Sequence, residues 1–270
     1  GNGHISENIP CQDACRVEHI KDYTIAVVCD GAGSCENSHI GSKHVTEFSI
    51  YHFEKLISLK NWNIDNNLPD QKLWHKEAKK TLFAIREDLE KIAISNDWDL
   101  KSLSCTIIIT IILKHGLLVC HIGDGRAGYC NSKGEWNSSI IPLHGELANQ
   151  TVFITSDIWD ADIIDTYIES RVINDNIKAI CMLTDGCEKA SFECNLFDEK
   201  TETYFDPNKP YPLFFNPNIK ILPELNALGK TQDEINLMWE NFLSNGNEKL
   251  KNESDDKTMI LGVHLLNEAE

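Results

Sequence analysis

Three apolar runs in this 270-residue chain end in Asp-Gly. Residues 27–34 read VVCDGAGS, 119–126 read VCHIGDGR and 180–186 read ICMLTDG, so Asp30, Asp124 and Asp185 each close a run. The pair Asp255-Asp256 stands just before TMILGV, and Asp13 lies in PCQDAC shortly before the first run. A single Asp-Gly is an ordinary turn dipeptide. Hairpin turns account poorly for Asp30 and Asp185, because helix-like or irregular sequence follows each. If sheets bring these ends together, carboxylates gather with almost no local base. Carboxylates in close contact cannot all stay ionised unless a cation balances them. Oxygen-only ligand sets select Mg²⁺, Mn²⁺ or Ca²⁺ over Zn²⁺. The Gly after each Asp lets the backbone bend and brings a carbonyl close to a metal. Two such ions about 3.5–4 Å apart form a device for phosphoester hydrolysis.

Competing chemistries find no support. GAGSCE is not G-x-G-x-x-G, since Glu36 takes the last place, and the P-loop, H-E-x-x-H and G-x-S-x-G patterns are absent. The 10 Cys include no C-x-x-C pair, and several sit in apolar runs, as at Cys29, Cys120 and Cys181. They read as reduced, buried thiols, which places the chain in a reducing cytoplasm. With 25 Lys plus Arg against 42 Asp plus Glu the formal net charge is -17, and no basic face is offered to a nucleic acid. No secretory h-region opens the sequence. The longest apolar stretch, CTIIITIIL at 105–113, is far short of a membrane span.

The elements that must position the acids follow from periodicity. TIAVVCD (24–30) is a β-branched, glycine-stopped strand. A helix is expected from about 36 to 60, with Ile40, His44, Phe48, Tyr51 and Leu56 at helical spacing. A second, capped by Asp70, runs to about Ile94 through Leu73, Ala78, Leu82, Ile85 and Leu89. Strands follow at 103–113, 117–123, 127–130 and 138–142, the first two as a hairpin, and then at 152–155 and 177–184. Residues 190–230, rich in Pro, Asn and aromatics, read as an ordered insertion or a long loop. TQDEINLMWENFLSN (231–245) carries a capping-box helix start at Thr231 and Glu234. KTMILGVHLL (257–266) closes the chain as a strand. Strands and helices cluster separately, which favours α+β layers.

Taken in order, CQDA (11–14), VVCDGAGS (27–34), SCT (104–106), IGDGRAG (122–128), TDG (184–186) and DDKT (255–258) resemble the metal-dependent protein phosphatases of the 2C type. The likeness is to a bacterial branch with H-x5-P-C-Q-D near the start, here His4 to Asp13. The resemblance implies a four-layer α-β-β-α sandwich of two antiparallel sheets flanked by helices, as one catalytic domain over 1–270. It implies hydrolysis of phosphoserine or phosphothreonine in proteins by a metal-activated water at a binuclear Mn²⁺ or Mg²⁺ site. Asp30 matches the carboxylate that bridges the two ions, and Gly31 the residue whose carbonyl meets the first. Asp185 and Asp255 match ligands of the second. Asp13 matches an acid working on the first ion's waters, and Asp124 one that, with Asp185, holds a weaker third ion. A phosphoprotein substrate and a cognate Ser/Thr kinase are the partners it implies, with no nucleic acid and no membrane.

Three positions depart from the family's pattern. Many members carry a phosphate-gripping Arg four residues before the position of Gln12, where this chain has Asn8. Many eukaryotic members carry a His after the first Asp-Gly, where this chain has Ala32. His4 or a metal-bound water is left to protonate the leaving hydroxyl. Asp256 stands in place of an Asn. Two alternatives stay open: a phosphoprotein-binding regulatory pseudophosphatase, and a hydrolase of small phosphoesters.

Overall fold

The computed structural model describes residues 1–64, 68–143, 151–160 and 163–264. Helix α1 (Asn2–Glu7) leads into strands β1 (Ala14–Ile20) and β2 (Tyr23–Cys29) and the long helices α2 (Ser38–Lys60) and α3 (Gln71–Ser95). Next come β3 (Ile107–Leu113), β4 (Gly116–Ile122), β5 (Arg126–Asn131), β6 (Trp136–Ser138), α4 (Ile164–Tyr167), β7 (Glu169–Ile173), β8 (Ile177–Leu183) and α5 (Glu188–Ser191). Short strands β9 (Phe192–Glu193), β10 (Leu196–Asp198), β11 (Thr203–Phe205) and β12 (Lys209–Pro210) follow. Helices α6 (Pro212–Ala227), α7 (Gln232–Asn245) and α8 (Glu248–Lys251) precede β13 (Met259–Val263).

Two antiparallel sheets carry the chain, one in the order β1-β2-β3-β4-β7 and the other β13-β8-β5-β6. Alternation along each strand explains the layering. On β2, Ile25, Val27 and Cys29 face α2 and α3, while Ala26 and Val28 face the second sheet. Met182 and Ile180 of β8 meet them from across the sandwich. Beyond the second sheet, Cys181 and Leu183 pack with Phe214 and Phe215 of α6 and Leu243 of α7. The result is the expected α-β-β-α sandwich.

Helix signals held at their ends. Asp70 accepts the amide of Leu73 at 2.7 Å, and Thr231 with Glu234 closes a capping box. On α3 the expected stripe is the buried one at Ala78, Leu82, Ile85 and Leu89 and fails at Leu73, whereas on α2 only Leu56 of the expected stripe is fully buried. On α2, Val45, Phe53 and Ile57 are buried while Tyr51 is exposed; on α3, Trp74 goes inward and Leu73 stays outside.

Several expected elements differ. Residues 152–155 form no strand; Val152 and Ile154 are buried against the helical layer, and the Ile154 amide reaches the Cys105 carbonyl at 3.0 Å. The strand expected at 138–142 lies earlier, as β6. The first strand of the 103–113 run begins at Ile107, after a short 3-10 turn over Leu100–Leu103. Of the two readings of residues 190–230, the ordered one holds: they form the β10–β11 hairpin, the β9–β12 pair and the whole of α6. The final strand ends at Val263, and residues 265 and 266 of its expected span lie outside the described residues. Among the described residues no helix is long and apolar enough to cross a membrane.

Candidate functional site

Strand pairing decides which acids become neighbours. Ala14 of β1 pairs with Cys29 of β2, so Asp13 and Asp30, one residue beyond each, leave the first sheet side by side. In the second sheet Arg126 and Met259 both pair with Leu183, so the Asp124 loop, the Asp185 turn and the chain after Asp255 leave together. Both sets emerge at the same end of the sandwich.

Contacts then lock the two sheets to each other at that end. The Thr184 hydroxyl donates to Asp13 Oδ2 at 2.8 Å, and the Thr184 amide donates to the Thr258 carbonyl at 3.1 Å. Asp256, buried, accepts the Gln12 amide at 2.7 Å, the His4 Nδ1–H at 2.8 Å and the Gly1 amino group at 2.6 Å. Its own amide donates to Asp255 Oδ1 at 2.8 Å. Asp30 is fixed through its backbone: its amide donates to the Thr106 hydroxyl at 3.0 Å, and its carbonyl accepts the Thr106 amide at 2.8 Å. Thr151 donates its hydroxyl to Asp124 Oδ2.

Two glycines are required by close approach. A Cβ on Gly31 would stand 2.5 Å from the Gln12 carbonyl oxygen, and one on Gly186 only 1.9 Å from that of Asp256. Any side chain at either position would push apart segments that carry the acids.

The electrostatics are those of uncompensated negative charge. Burial first, then the charges of Asp13, Asp185, Asp255 and Asp124, hold the Asp30 carboxyl well above the ordinary Asp value. Burial pushes Asp185 up to about 7, with Asp124 and Asp255 next in effect. Burial likewise lifts Asp13 to about 6, against the hydrogen bonds of Thr184 and Thr258, which pull it down. Asp185 Oδ1 is buried with no hydrogen-bond partner. Nearby, Cys11 is driven up to about 12 by burial and then by Asp256 and Asp13, so it stays a thiol at neutral pH. Among the described residues, no group of three or more His, Cys, Asp or Glu side chains is already arranged to hold a metal ion. The donor set is nonetheless of the right kind: oxygen-rich, mutually repelling, and carrying an orphaned buried carboxylate oxygen, which a hard divalent cation would satisfy.

His4 is engaged with Asp256, and Gly31 bridges to Cys105 through its backbone. Asn8 ends α1 in the left-handed region (φ 57), a conformation Asn tolerates better than Arg. Ala32 is buried, and its amide donates to the Ser104 carbonyl at 2.9 Å. Of the supporting residues, Thr106 and Thr184 stood in the SCT and TDG motifs without a role assigned to them, and Thr151 carried no signal. Asp256 was visible only as the second half of an Asp pair.

A sequence profile of the family described as Protein phosphatase 2C matches residues 1–222. Serine/threonine-protein phosphatase 3 of Escherichia coli (strain K12) is 26% identical over 273 residues, covering 97% of this chain and 94% of that protein. Among solved structures, a bacterial serine phosphatase superposes with a TM-score of 0.56 at 16% identity, covering 94% of this chain and 92% of the other. The phosphatase Stp1 from Staphylococcus aureus gives 0.54 at 16% identity, with coverage of 95% and 90%. The fold is the same in each.

Proposed function

Because this chain belongs to the protein phosphatase 2C family, whose members are metal-dependent phosphatases, we propose that its Asp-rich end hydrolyses phosphoserine or phosphothreonine in proteins. The observation that carries the reading is the buried, unpartnered Asp185 Oδ1 inside a cluster of carboxylates that raise one another. Such a cluster is stable only when protonated or when a cation sits in it.

In this reading Asp30, the Gly31 carbonyl, Asp13, Asp124, Asp185 and Asp255 hold two Mn²⁺ or Mg²⁺ ions, and Asp124 with Asp185 holds a third. Such ions supply Lewis-acid stabilisation of phosphate oxygens and a water acidic enough to ionise near neutral pH. The protein's part is to hold five segments of chain in place. Asp30 is set by the two Thr106 hydrogen bonds. Asp13 is oriented by Thr184. Asp255 is fixed by the Asp256 clasp, in which the buried carboxylate gathers the Gln12 amide, His4 and the Gly1 amino group. His4, with Nδ1–H given to Asp256, is oriented to hold a proton for the leaving hydroxyl. Residues 1–270 are one catalytic domain with 190–230 as its insertion, and a cognate Ser/Thr kinase supplies the phosphoprotein.

The test is hydrolysis of a phosphothreonine peptide with and without Mn²⁺, with Asp30→Asn as control. Turnover should require both, and the variant should lose at least about 100-fold. Comparable activity in Asp30→Asn would sink the mechanism.

Asn8 and Ala32, which stand where many members carry the phosphate-binding Arg and a His, favour a second reading: a phosphoprotein-binding regulator with weak or no turnover. Calorimetric titration with Mn²⁺ separates the two, since a regulator without catalytic metal would give no heat of binding.

A further inference from the structure

The far end of the sandwich, away from the carboxylates, is open. A cleft of about 480 Å³ runs between the two sheets, bounded by the β1–β2 and β3–β4 turns on one side and by the start of β8 and the end of β13 on the other. It continues the inter-sheet core, which thins there because Ala26 of β2 and Gly262 of β13 offer little or no side chain. The walls are Val17, Ile112, Ile180 and Ile260. Val17 is 42% exposed, and Ile112 and Ile260 are only half-buried, so core-facing side chains stand partly in water. The hydroxyl of the lining residue Thr24 is already paired with His19 Nδ1 at 2.8 Å.

The mouth differs from its walls. Lys21, Lys114, His19 and His264 ring it, against Asp22 alone. In a chain of formal net charge -17 this is a local reversal of sign. Apolar walls of this volume with a few charged groups at one end describe a small-molecule site. The polar groups are too few and too peripheral for a sugar or a nucleotide, which would need donors along its length.

We propose that this cleft binds a single-chain amphipathic anion, its acyl chain between the sheets and its carboxylate against Lys21 and Lys114. The chain removes the half-exposed isoleucines from water, and the head group meets the two ammoniums at the rim. The site is separate from the acidic end and does not depend on its chemistry.

The experiment is calorimetric titration of the full chain with dodecanoate and with dodecyltrimethylammonium, both below their micellar concentrations. Dodecanoate should saturate one site, and the cation of equal chain length should bind at least about tenfold more weakly. The double variant Lys21→Glu/Lys114→Glu, altered only at exposed side chains, should lose the preference for the anion. Ala26→Leu should fill the cleft and abolish binding, with its melting curve checking that it folds. Equal binding of both head groups, no saturable heat, or an unchanged double variant would overturn the proposal. So would binding that appears only after truncation beyond His264, which would assign the cleft to the chain's own end. A concentration-dependent dimer in sedimentation, lost in Val17→Asp, would assign it to a second copy and overturn it equally.

Discussion

The hydroxyl of Thr184 lies 2.8 Å from the carboxylate of Asp13, a contact between residues 171 positions apart that joins the two sheets at the acidic end. It is also the strongest influence pulling the Asp13 carboxyl down against burial. Thr184→Val removes it without changing shape, so Asp13 should hold its proton to higher pH. The acid limb of the pH–activity profile should move up, and stability should fall by about 1 kcal/mol. Thr184→Ser should restore both. A profile that does not move would show that Asp13 is set by something else.

Asp30 is surrounded by negative charge. In the metal-free protein Asp30→Asn should therefore raise the melting temperature, by the equivalent of about 1–2 kcal/mol, while removing turnover. Mn²⁺ should stabilise the parent chain through linkage and stabilise the variant much less. Thermal melts in EDTA and in Mn²⁺ check both halves. A variant less stable than the parent without metal would contradict the repulsion.

A pH dependence follows from the same cluster. Asp185 is raised from 3.8 to about 7 and Asp13 to about 6, so the folded state binds more protons than the unfolded one between those values. Their contribution to stability is full below about pH 4 and is lost as pH rises towards 7. Buried His121, lowered by burial from 6.5 to about 3, acts in the opposite sense: its stability is lost as pH falls through the same range. The difference between parent and Asp185→Asn isolates the carboxylate. In EDTA, Asp185→Asn should gain on the parent steadily from pH 4 to 7; a constant difference would remove the inference.

Arg126, next to the Asp124 loop, is almost wholly buried. It donates Nε–H to Glu188 at 2.8 Å, one Nη–H to Asp206 at 2.7 Å and the other to Asn208 at 2.9 Å, beneath the ring of Phe192. It therefore ties the acidic motif to the 190–230 segment. Arg126→Ala leaves the largely buried Glu188 side chain unpaired and should cost about 1–3 kcal/mol in denaturant melts. A loss under 1 kcal/mol would mean that water enters and replaces the guanidinium.

Gly186→Ala places a methyl group against the Asp256 carbonyl, 1.9 Å from the oxygen before any relaxation. The Asp255–Asp256 segment must shift, so Mn²⁺ affinity should fall along with turnover. Calorimetry with Mn²⁺ reads the first independently of activity, and an unaltered affinity would show that the segment moves at no expense to the site.

Much of this was legible because it depends on local pattern. Asp30 closing a β-branched run, Asp70 before a helix and the Thr231–Glu234 box each needed only their own neighbours. What was lost depended on distant partners. Helix α6 contains Pro217 and Pro223 and was not legible as a helix within the segment read as an ordered insertion or a long loop, since interior prolines disfavour a helix. It forms because Phe214, Phe215 and Ile219 bury against the outer face of the second sheet, and Phe215 stacks on Trp136 at 4.7 Å. Val152 and Ile154 read as a strand for the converse reason: burial alone gives an apolar run, whether or not a neighbouring strand takes up its amides. Asp256 read as a mild substitution because its donors, Gln12 and His4, lie at the opposite end of the chain.

The acidic end is assembled from residues 13, 30, 124, 185 and 255, so its parts are spread along almost the whole polypeptide. Met259, which β13 sets beside Leu183, is made after all the other described strands. During synthesis the first sheet can pair fully while the second still lacks this strand and Asp255. A nascent chain that stops before Asp255 lacks one of these carboxylates. The acidic end is therefore completed late: Asp255 arrives only after every described strand but β13 has been made.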